Sequence, residues 1–456
     1  MIEMTAQEIA EIVGGQFHGP ASLSVKAGCV FDSRSVKPGD IFLALKGEKT
    51  DGHEFIADAK SRGAALALTT RSVDMPHILV SDVLAAVASL AAHVRRELKE
   101  LTVIGITGSQ GKTTTKDILN TVLSQVGSTV AAQGSFNNEL GAPLTLLNCS
   151  PATRFCIVEM GARHMGDIAA LAKIAAPNVG AVLKVGTAHL GEFGSRSKIA
   201  QTKAELIHGL SEGGIAVLGS YDEFTPAMAA GLNRIVITFG ESADCKVRAA
   251  DLEIRGGFPH FDLVTPEGRE PVSLRLLGAH QTANALAAAA IAYSLGVSTL
   301  HIASALSSHE PTSRWRMELH ELDGIVLIND CYNANPESMT AALRTLALLS
   351  QEHGGRSWAF LSTMHELGDE SASLHHEVGA LAHELKIDHL VAIANRDLLL
   401  GSARSETHEH YCSDSKEAAL LIDRFESGDV ILVKASRAEH LEELAAKIVE
   451  RMGDKQ

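Results

Sequence analysis

The stretch L-T-V-I-G-I-T-G-S-Q-G-K-T-T-T-K, residues 101–116, decides how this chain folds. An apolar run ends in glycine, and a helical pattern opens directly behind it. Strand, glycine turn and helix in that order make a phosphate-binding turn of an α/β nucleotide site. Gly108 and Gly111 let the backbone turn tightly, so that its N–H groups surround phosphate oxygens at a helix N-terminus. The candidate nucleotide contacts are Thr107, Gly108, Ser109, Gln110, Gly111, Lys112, Thr113 and Thr114. Lys112 is placed to reach the β- and γ-phosphates, and Thr113 to offer its hydroxyl to Mg²⁺. One position departs from G-x-x-x-x-G-K-[ST]: Ile106 stands where the first glycine belongs, and Gly105 is one place early. An ordinary glycine turn with a surface lysine is the alternative; the coincidence of strand, G-K-T and helix favours the nucleotide. Such a loop names no reaction, since kinases, GTPase switches, motors and ligases all carry one.

Outward from the loop, F-C-I-V-E-M-G (155–161), V-G-A-V-L-K-V-G (179–186) and G-I-A-V-L-G-S (214–220) are near-continuous apolar runs spaced by helical patterns. Runs of that kind predict a buried parallel sheet. Residues 246–277 alternate polar and apolar positions between glycine and Pro-Glu-Gly turns, which predicts antiparallel hairpins attached to that sheet. An alanine-rich helix is expected over about 281–295. Beyond H-E-P-T-S-R-W-R the runs G-I-V-L-I-N-D, R-S-W-A-F-L-S-T, H-L-V-A-I-A and D-V-I-L-V-K alternate with helices, as in a second α/β unit. Before the loop, a helical pattern, the runs F-L-A-L (42–45) and A-L-A-L-T-T (65–70), and a helix over about 83–99 form a first unit. The reading is an α/β protein of three domains, 1–98, 99–311 and 312–456.

The length of 456 residues agrees, because one core rarely grows past about 250–300 residues. The 40 basic and 55 acidic residues leave a net charge of −15, which argues against nucleic acid as a partner and requires any phosphate to be held by a local device. Six cysteines stand singly, without a C-x-x-C pair, and fit a reducing compartment. Glu3, Glu8 and Glu11 are unlike a secretory signal, and no apolar run approaches the roughly 20 residues of a membrane span. A cytoplasmic location is expected.

Four further stretches accompany the loop: S-F-N-N-E-L-G-A-P-L-T-L-L (135–147), V-E-M-G-A (158–162), A-H-L (188–190) and K-A-E (203–205). Together they resemble the Mur ligases, the ATP-dependent enzymes that build the peptide stem of bacterial peptidoglycan. D-C-Y-N-A-N-P-E-S-M (330–339), M-H-E-L-G (364–368) and V-K-A-S-R (433–437) resemble the last ligase of that series, which joins D-alanyl-D-alanine to UDP-MurNAc-tripeptide. F-D-S-R-S-V-K-P-G-D-I-F-L-A-L-K-G (31–47) is similar to the family's uridine-nucleotide domain. The implied architecture is a central parallel-sheet ATPase domain between an N-terminal UDP-sugar domain and a C-terminal Rossmann-like domain that closes over ATP and binds the acceptor.

The resemblance implies roles residue by residue. Lys112, Glu159, His189, Lys203 and Arg316 become the catalytic set. Mg²⁺ falls to Thr113 at one site and to Glu159 and His189 at another, with Lys203 a candidate for carbamylation by CO₂, which would turn a cation into an anion suited to a metal. Asn284 is assigned to the adenine side and Asp330 to the ribose, while Arg316, with Arg314 as the rival, engages the γ-phosphate. For the nucleotide-sugar substrate the implied contacts are Ser33, Arg34, Lys46, Gly47, Asn137 and Asn138, and for the acceptor cleft Tyr332, Asn333 and Asn335. ATP and Mg²⁺ are the cofactors, UDP-MurNAc-tripeptide and D-alanyl-D-alanine the partners, and a monomer the expected state.

Two departures bear on the acceptor side. Ser362 and Thr363 stand where relatives read Gly-Asp, and Ala435 replaces a glycine; where that glycine lets substrate approach, alanine narrows the site or shifts the loop. His365, His375, His376 and His383 cluster without any H-E-x-x-H pattern, and read as surface or half-buried residues rather than a zinc site. A sister ligase taking a single amino acid, and a nucleotide-binding protein that has lost ligation, are the rival readings. The third residue of the tripeptide, lysine or diaminopimelate, is left open.

Overall fold

The computed structural model describes residues 1–47, 50–400 and 406–453. Among the described residues, three main sheets follow one another along the chain. In the first, Gln16–His18 runs antiparallel to His77–Leu79, and Leu66–Thr69, Ile41–Leu43 and Cys29–Val30 continue in parallel. Its helix Ala6–Val13 begins at a capping box, Thr5 with Glu8, and ends at Gly14 in the left-handed conformation (φ 66°). Both ends of this short helix thereby satisfy backbone groups that its own turns leave unpaired.

The second sheet has nine strands. The strand Thr102–Thr107 lies at its heart, with Phe155–Glu159 on one side and Val179–Val182 on the other, all parallel. Thr129–Ala131 closes one edge, while Ile215–Gly219 and Ile235–Gly240 extend the other. Thr102–Thr107 is where the strand order reverses, and in open α/β sheets ligands bind at the carboxyl ends beside such a point. Its residues Val103, Ile104 and Ile106 are fully buried, as a parallel strand covered on both faces requires. The meander Val247–Arg255, Phe258–Thr265 and Gly268–Ser273 completes this sheet, antiparallel within itself as the alternating pattern predicts. The alanine helix Gln281–Ser294 is buried along most of its length, and small side chains let it share a core with Ile118, Leu119 and Val122 of the helix Lys112–Ser124.

The third sheet orders Glu318–Leu322, Ile325–Asp330, Val430–Lys434, Ser357–Leu361, His389–Ile393 and His408–Cys412, with only the first pair antiparallel. Periodicity alone overextends some strands: the run 179–186 pairs only through Val182, and the remainder turns away as a loop. It also passes over short or polar strands at Gln16–His18, Thr129–Ala131 and His408–Cys412, whose patterns do not stand out, and over the apolar strand Ile235–Gly240.

Candidate active site

A cavity of about 1250 Å³ opens where the three sheets meet. Its walls include the phosphate loop from Ser109 to Thr114, Asn137 and Asn138, Glu159, His189, Asn284, Arg316, Asp330, and Tyr332, Asn333 and Asn335. The loop is held open by its own bonds. Ser109 Oγ accepts from the Gly186 N–H (2.9 Å), Lys112 Nζ donates to the Gly108 carbonyl (2.8 Å), and Gly111 starts the helix at φ 79°. Asn284 Oδ1 packs so close to Gly111 that an added methyl would stand 2.1 Å from it, so glycine is required by contact as well as by conformation. Thr107 is buried with its hydroxyl unpartnered.

Glu159 ends its strand opposite Ile106, at the carboxyl end of the sheet. Its carboxylate is 1% exposed and accepts from Thr113 Oγ1 (2.9 Å) and Asn137 Nδ2 (2.7 Å), both neutral donors. A buried carboxylate with only neutral hydrogen-bonding partners is suited to a cation. Among the described residues no three His, Cys, Asp or Glu side chains converge as a cage. Mg²⁺ keeps water and phosphate ligands and takes one or two protein oxygens, of the kind the Glu159 carboxylate and Thr113 hydroxyl offer here.

Lys203 lies buried on the helix Arg196–His208, and no acceptor among the described residues bonds its ammonium. Burial, reinforced by the charge of Lys112, brings its pKa down to about 7. Burial likewise lowers Lys112, with Glu159 opposing and Arg316 adding to the effect. His189 sits at φ 62° and its Nδ1 is taken by the Glu366 carboxylate, which arrives from the third domain. That bond sets the ring orientation and turns Nε2 away from Glu366, the arrangement found where carboxylates orient metal-binding histidines.

Between the second and third sheets the backbone takes left-handed conformations at Trp315 (φ 60°) and Met317 (φ 51°). Such geometry costs a non-glycine residue on the order of 1 kcal/mol or more and persists only where surroundings enforce it. Here it aims Arg316 inward: one guanidinium nitrogen donates to Thr113 Oγ1 (3.0 Å), and the group lies 3.9 Å from the Tyr332 ring centre. Arg314 is exposed and does not line the main cavity. Asp330 pairs with the buried Lys434 (2.5 Å) and accepts from the Met317 N–H (3.1 Å), while Tyr332 meets Ser135.

Several expected contacts have other local work. Asn335 caps the helix Pro336–His353, accepting from Ser338 N–H (2.9 Å), and Asn138 accepts from Gly141 N–H (3.0 Å) at the start of Gly141–Leu147. The structure does not bring Ser33, Arg34, Lys46 or Gly47 to the cavity: Ser33 is buried, and Arg34 is 82% exposed and paired with Asp32. Phe31, Leu84, Ala85 and Ala88 are the first-domain residues that line it. Phe31 opens the F-D-S-R stretch, whereas the ordinary apolar character of Leu84, Ala85 and Ala88 gave no signal in the sequence.

Of the two effects considered for Ala435, narrowing of the site or a shift of the loop, the first is not seen. Its methyl is fully buried among Val433, Leu441 and Leu444, and it does not line the cavity. Ser362 is also turned inward, donating to the Ile393 carbonyl (2.7 Å). His375 is buried, with Nε2 accepting from Met364 N–H (2.8 Å), and His365 meets Glu439 (2.6 Å). Sequence reasoning missed Glu366, Lys434 and His280. His280 lines the cavity with Nδ1 buried and unpartnered, and burial lowers its pKa to about 4; its place in G-A-H-Q-T-A-N was the available signal.

Comparison with known proteins agrees with this geometry. Three family models match in succession: the Mur ligase family catalytic domain over 27–108, the Mur ligase middle domain over 106–292, and the Mur ligase glutamate ligase domain over 315–437. The chain is 40% identical to a UDP-N-acetylmuramoyl-tripeptide–D-alanyl-D-alanine ligase of Mycobacterium tuberculosis, covering 98% of both. A crystal structure of MurF from Acinetobacter baumannii superposes with a TM-score of 0.88 at 34% identity, covering 98% of this chain and 99% of that one. A MurF ligase from Thermotoga maritima in complex with ADP superposes at 0.79 with 30% identity, covering 94% and 98%. On a likeness that spans nearly the whole chain and all three sheets, this protein belongs to the Mur ligase family.

Proposed function

We propose that this chain is an ATP-dependent ligase that adds D-alanyl-D-alanine to UDP-MurNAc-tripeptide, forming the pentapeptide precursor of peptidoglycan. The observation that carries the reading is the convergence on one cavity of the phosphate loop, Glu159, His189 and Arg316, with Tyr332, Asn333 and Asn335 facing them from the third domain. Joining a carboxylate to an amine in water is uphill. The tripeptide carboxylate therefore attacks the γ-phosphorus, ADP leaves, and an acyl phosphate forms. The free amine of the dipeptide then adds to the acyl carbon, inorganic phosphate departs, and the amine loses a proton.

The residues divide this work. Loop amides and Lys112 hold the phosphates at the helix N-terminus, and Arg316 brings a fixed fork of donors to the transferring phosphoryl group. Mg²⁺, when bound through Thr113 and Glu159 and at His189, supplies charge neutralisation between two approaching anions. The Lys203 amine, neutral in part near pH 7, can add CO₂ with loss of a proton, which would turn it into a carbamate anion suited to hold a metal. Asn284, Gln281 and Asp330 serve the nucleoside side, and seating of the third domain keeps water from the acyl phosphate. Ser33, Arg34, Lys46 and Gly47, which do not line the cavity, serve the uridine end of the substrate, and Asn137 and Asn138 its sugar–phosphate end. The three units 1–98, 99–311 and 312–456 take these jobs in turn, in a cytoplasmic monomer; among the described residues no helix is long and apolar enough to cross a membrane.

The test is ADP release in the presence of the tripeptide nucleotide, with D-alanyl-D-alanine against single amino acids, and mass spectrometry of the product. A pentapeptide nucleotide formed only with the dipeptide is the expected result. Turnover only with a free amino acid would overturn the acceptor assignment, and lysine- and diaminopimelate-containing tripeptides assayed side by side settle the remaining choice.

A further inference from the structure

One carboxylate at the junction of the second and third domains has no part in the chemistry above. Asn335 caps the helix Pro336–His353, and Glu337 follows in its first turn, where the helix dipole favours a negative charge. From there Glu337 reaches into the central domain. Oε1 accepts from the main-chain N–H of Thr187 (2.8 Å), and Oε2 accepts from Thr187 Oγ1 (2.9 Å) and from Gln110 Nε2 (3.1 Å). Gly186 makes room, since a methyl there would stand 2.6 Å from Oε1. Glu337 does not line the cavity, so it stands behind the wall rather than facing substrate.

The two segments it joins are informative. Gln110 lies inside the phosphate loop, and Thr187 lies two residues before His189 on the loop that follows the strand Val179–Val182. We propose that Glu337 is a closure latch: a positioning residue that seats the third domain on the phosphate loop and the His189 loop together, and so sets the affinity for nucleotide. The proposal rests on the reading of 107–114 as the ATP site. Three hydrogen bonds to one ionised group can form only with the domains together, and bonds to charged groups are the strong ones. A ligand that binds the closed form has an apparent affinity reduced by the closed fraction. Loss of the latch therefore raises the KM for ATP, while saturating ATP still draws the domains together and leaves kcat nearly intact.

The test uses the full-length protein and the variants Glu337→Ala, Glu337→Gln, Thr187→Val and Glu337→Ala/Thr187→Val. The expected result is a KM for ATP raised about tenfold in Glu337→Ala with kcat within about twofold, and an intermediate rise in Glu337→Gln, which keeps one acceptor. The double variant should be no worse than Glu337→Ala alone, because Thr187→Val removes only a bond that Glu337→Ala has already removed. Small-angle scattering with a non-hydrolysable ATP analogue gives a readout that helix destabilisation alone would not move. Contraction should occur in Glu337→Ala only at about tenfold higher analogue than in the unmodified protein. An unchanged KM with unchanged contraction overturns the latch, as does a fall in kcat with KM unaltered, or a lowered melting temperature with no change in either. If the unmodified protein contracts with the analogue but makes no pentapeptide, the ligase reading fails while the latch is judged on the scattering alone.

Discussion

Arg316 shows how a single residue acquires its role from what surrounds it. Two left-handed neighbours, a tyrosine ring and the Thr113 hydroxyl converge on its guanidinium, whereas Arg314 two places earlier points to solvent. Replacing Arg316 with alanine is expected to lower kcat by about 10³-fold in ADP release, the scale of arginines that stabilise phosphoryl transfer. Lysine should recover little, since a point charge cannot reproduce the planar fork. Arg314→Ala should stay near normal in the same assay. At Lys203 the sign of a pH effect follows from its depressed pKa of about 7. Below that value the amine is protonated and cannot add CO₂, so activity at limiting bicarbonate should rise as pH climbs through about 7, and Lys203→Arg should remove both activity and that rise. A flat profile under limiting bicarbonate would sink the carbamate assignment. The types of these residues could be read from the chain, and the sequence favoured Arg316 with Arg314 as its rival; which guanidinium turns inward depends on the left-handed backbone at Trp315 and Met317, which the chain does not announce.

At the scale of elements, caps and strand edges carry the testable content. Asn335 both starts the helix Pro336–His353 and sets where Glu337 stands. Asn335→Ala should cost about 1 kcal/mol of stability in denaturant titration, with Asn335→Asp close to neutral. At the edge of the third sheet, His389 stacks on Trp358 at 3.7 Å, its Nδ1 lies 3.2 Å from His410 Nε2, and His408 stacks on its other side. Arg356 and Arg424 add positive charge nearby and Asp388 opposes it. Burial first, then the neighbouring His410, His408 and Arg356, brings His389 to about 4, below its ordinary 6.5. The unfolded chain therefore binds more protons between those values. The stability contributed is fully present above about pH 6.5 and is lost as pH falls through about 4. His389→Phe should flatten the melting temperature over that window; a profile identical to the unmodified protein would show that the stack does not titrate as described. Strand positions of this sheet were readable where apolar runs are long, as in Ile325–Asp330 and Val430–Lys434. His408–Cys412 was not, because most of its side chains are polar and only partly covered at a sheet edge, so no apolar run marks it.

At the scale of the molecule, the three main sheets of the described residues surround a cavity, and a ligand bound there would be coupled to stability. ATP with Mg²⁺ at a hundredfold excess over its Kd should stabilise the protein by about 2.7 kcal/mol, seen as a rise in melting temperature that Lys112→Ala abolishes. The net charge of −15 is compatible with this, since the cavity gathers Lys112, Arg316 and Lys434 around the loop amides. By itself the sequence determined the α/β class, the order of the three units, the phosphate loop and the family. These rest on local periodicity and on motifs whose residues act within a few positions of each other. Only the tertiary structure decided that Arg316 faces the loop, that Glu366 orients His189, that Glu337 bridges two loops, that the Ala435 methyl turns to the core, and that Ser33 and Arg34 do not line the cavity. Those facts join positions tens to hundreds of residues apart, and periodicity along a chain carries no information about which distant side chains meet when packed sheets close on one another.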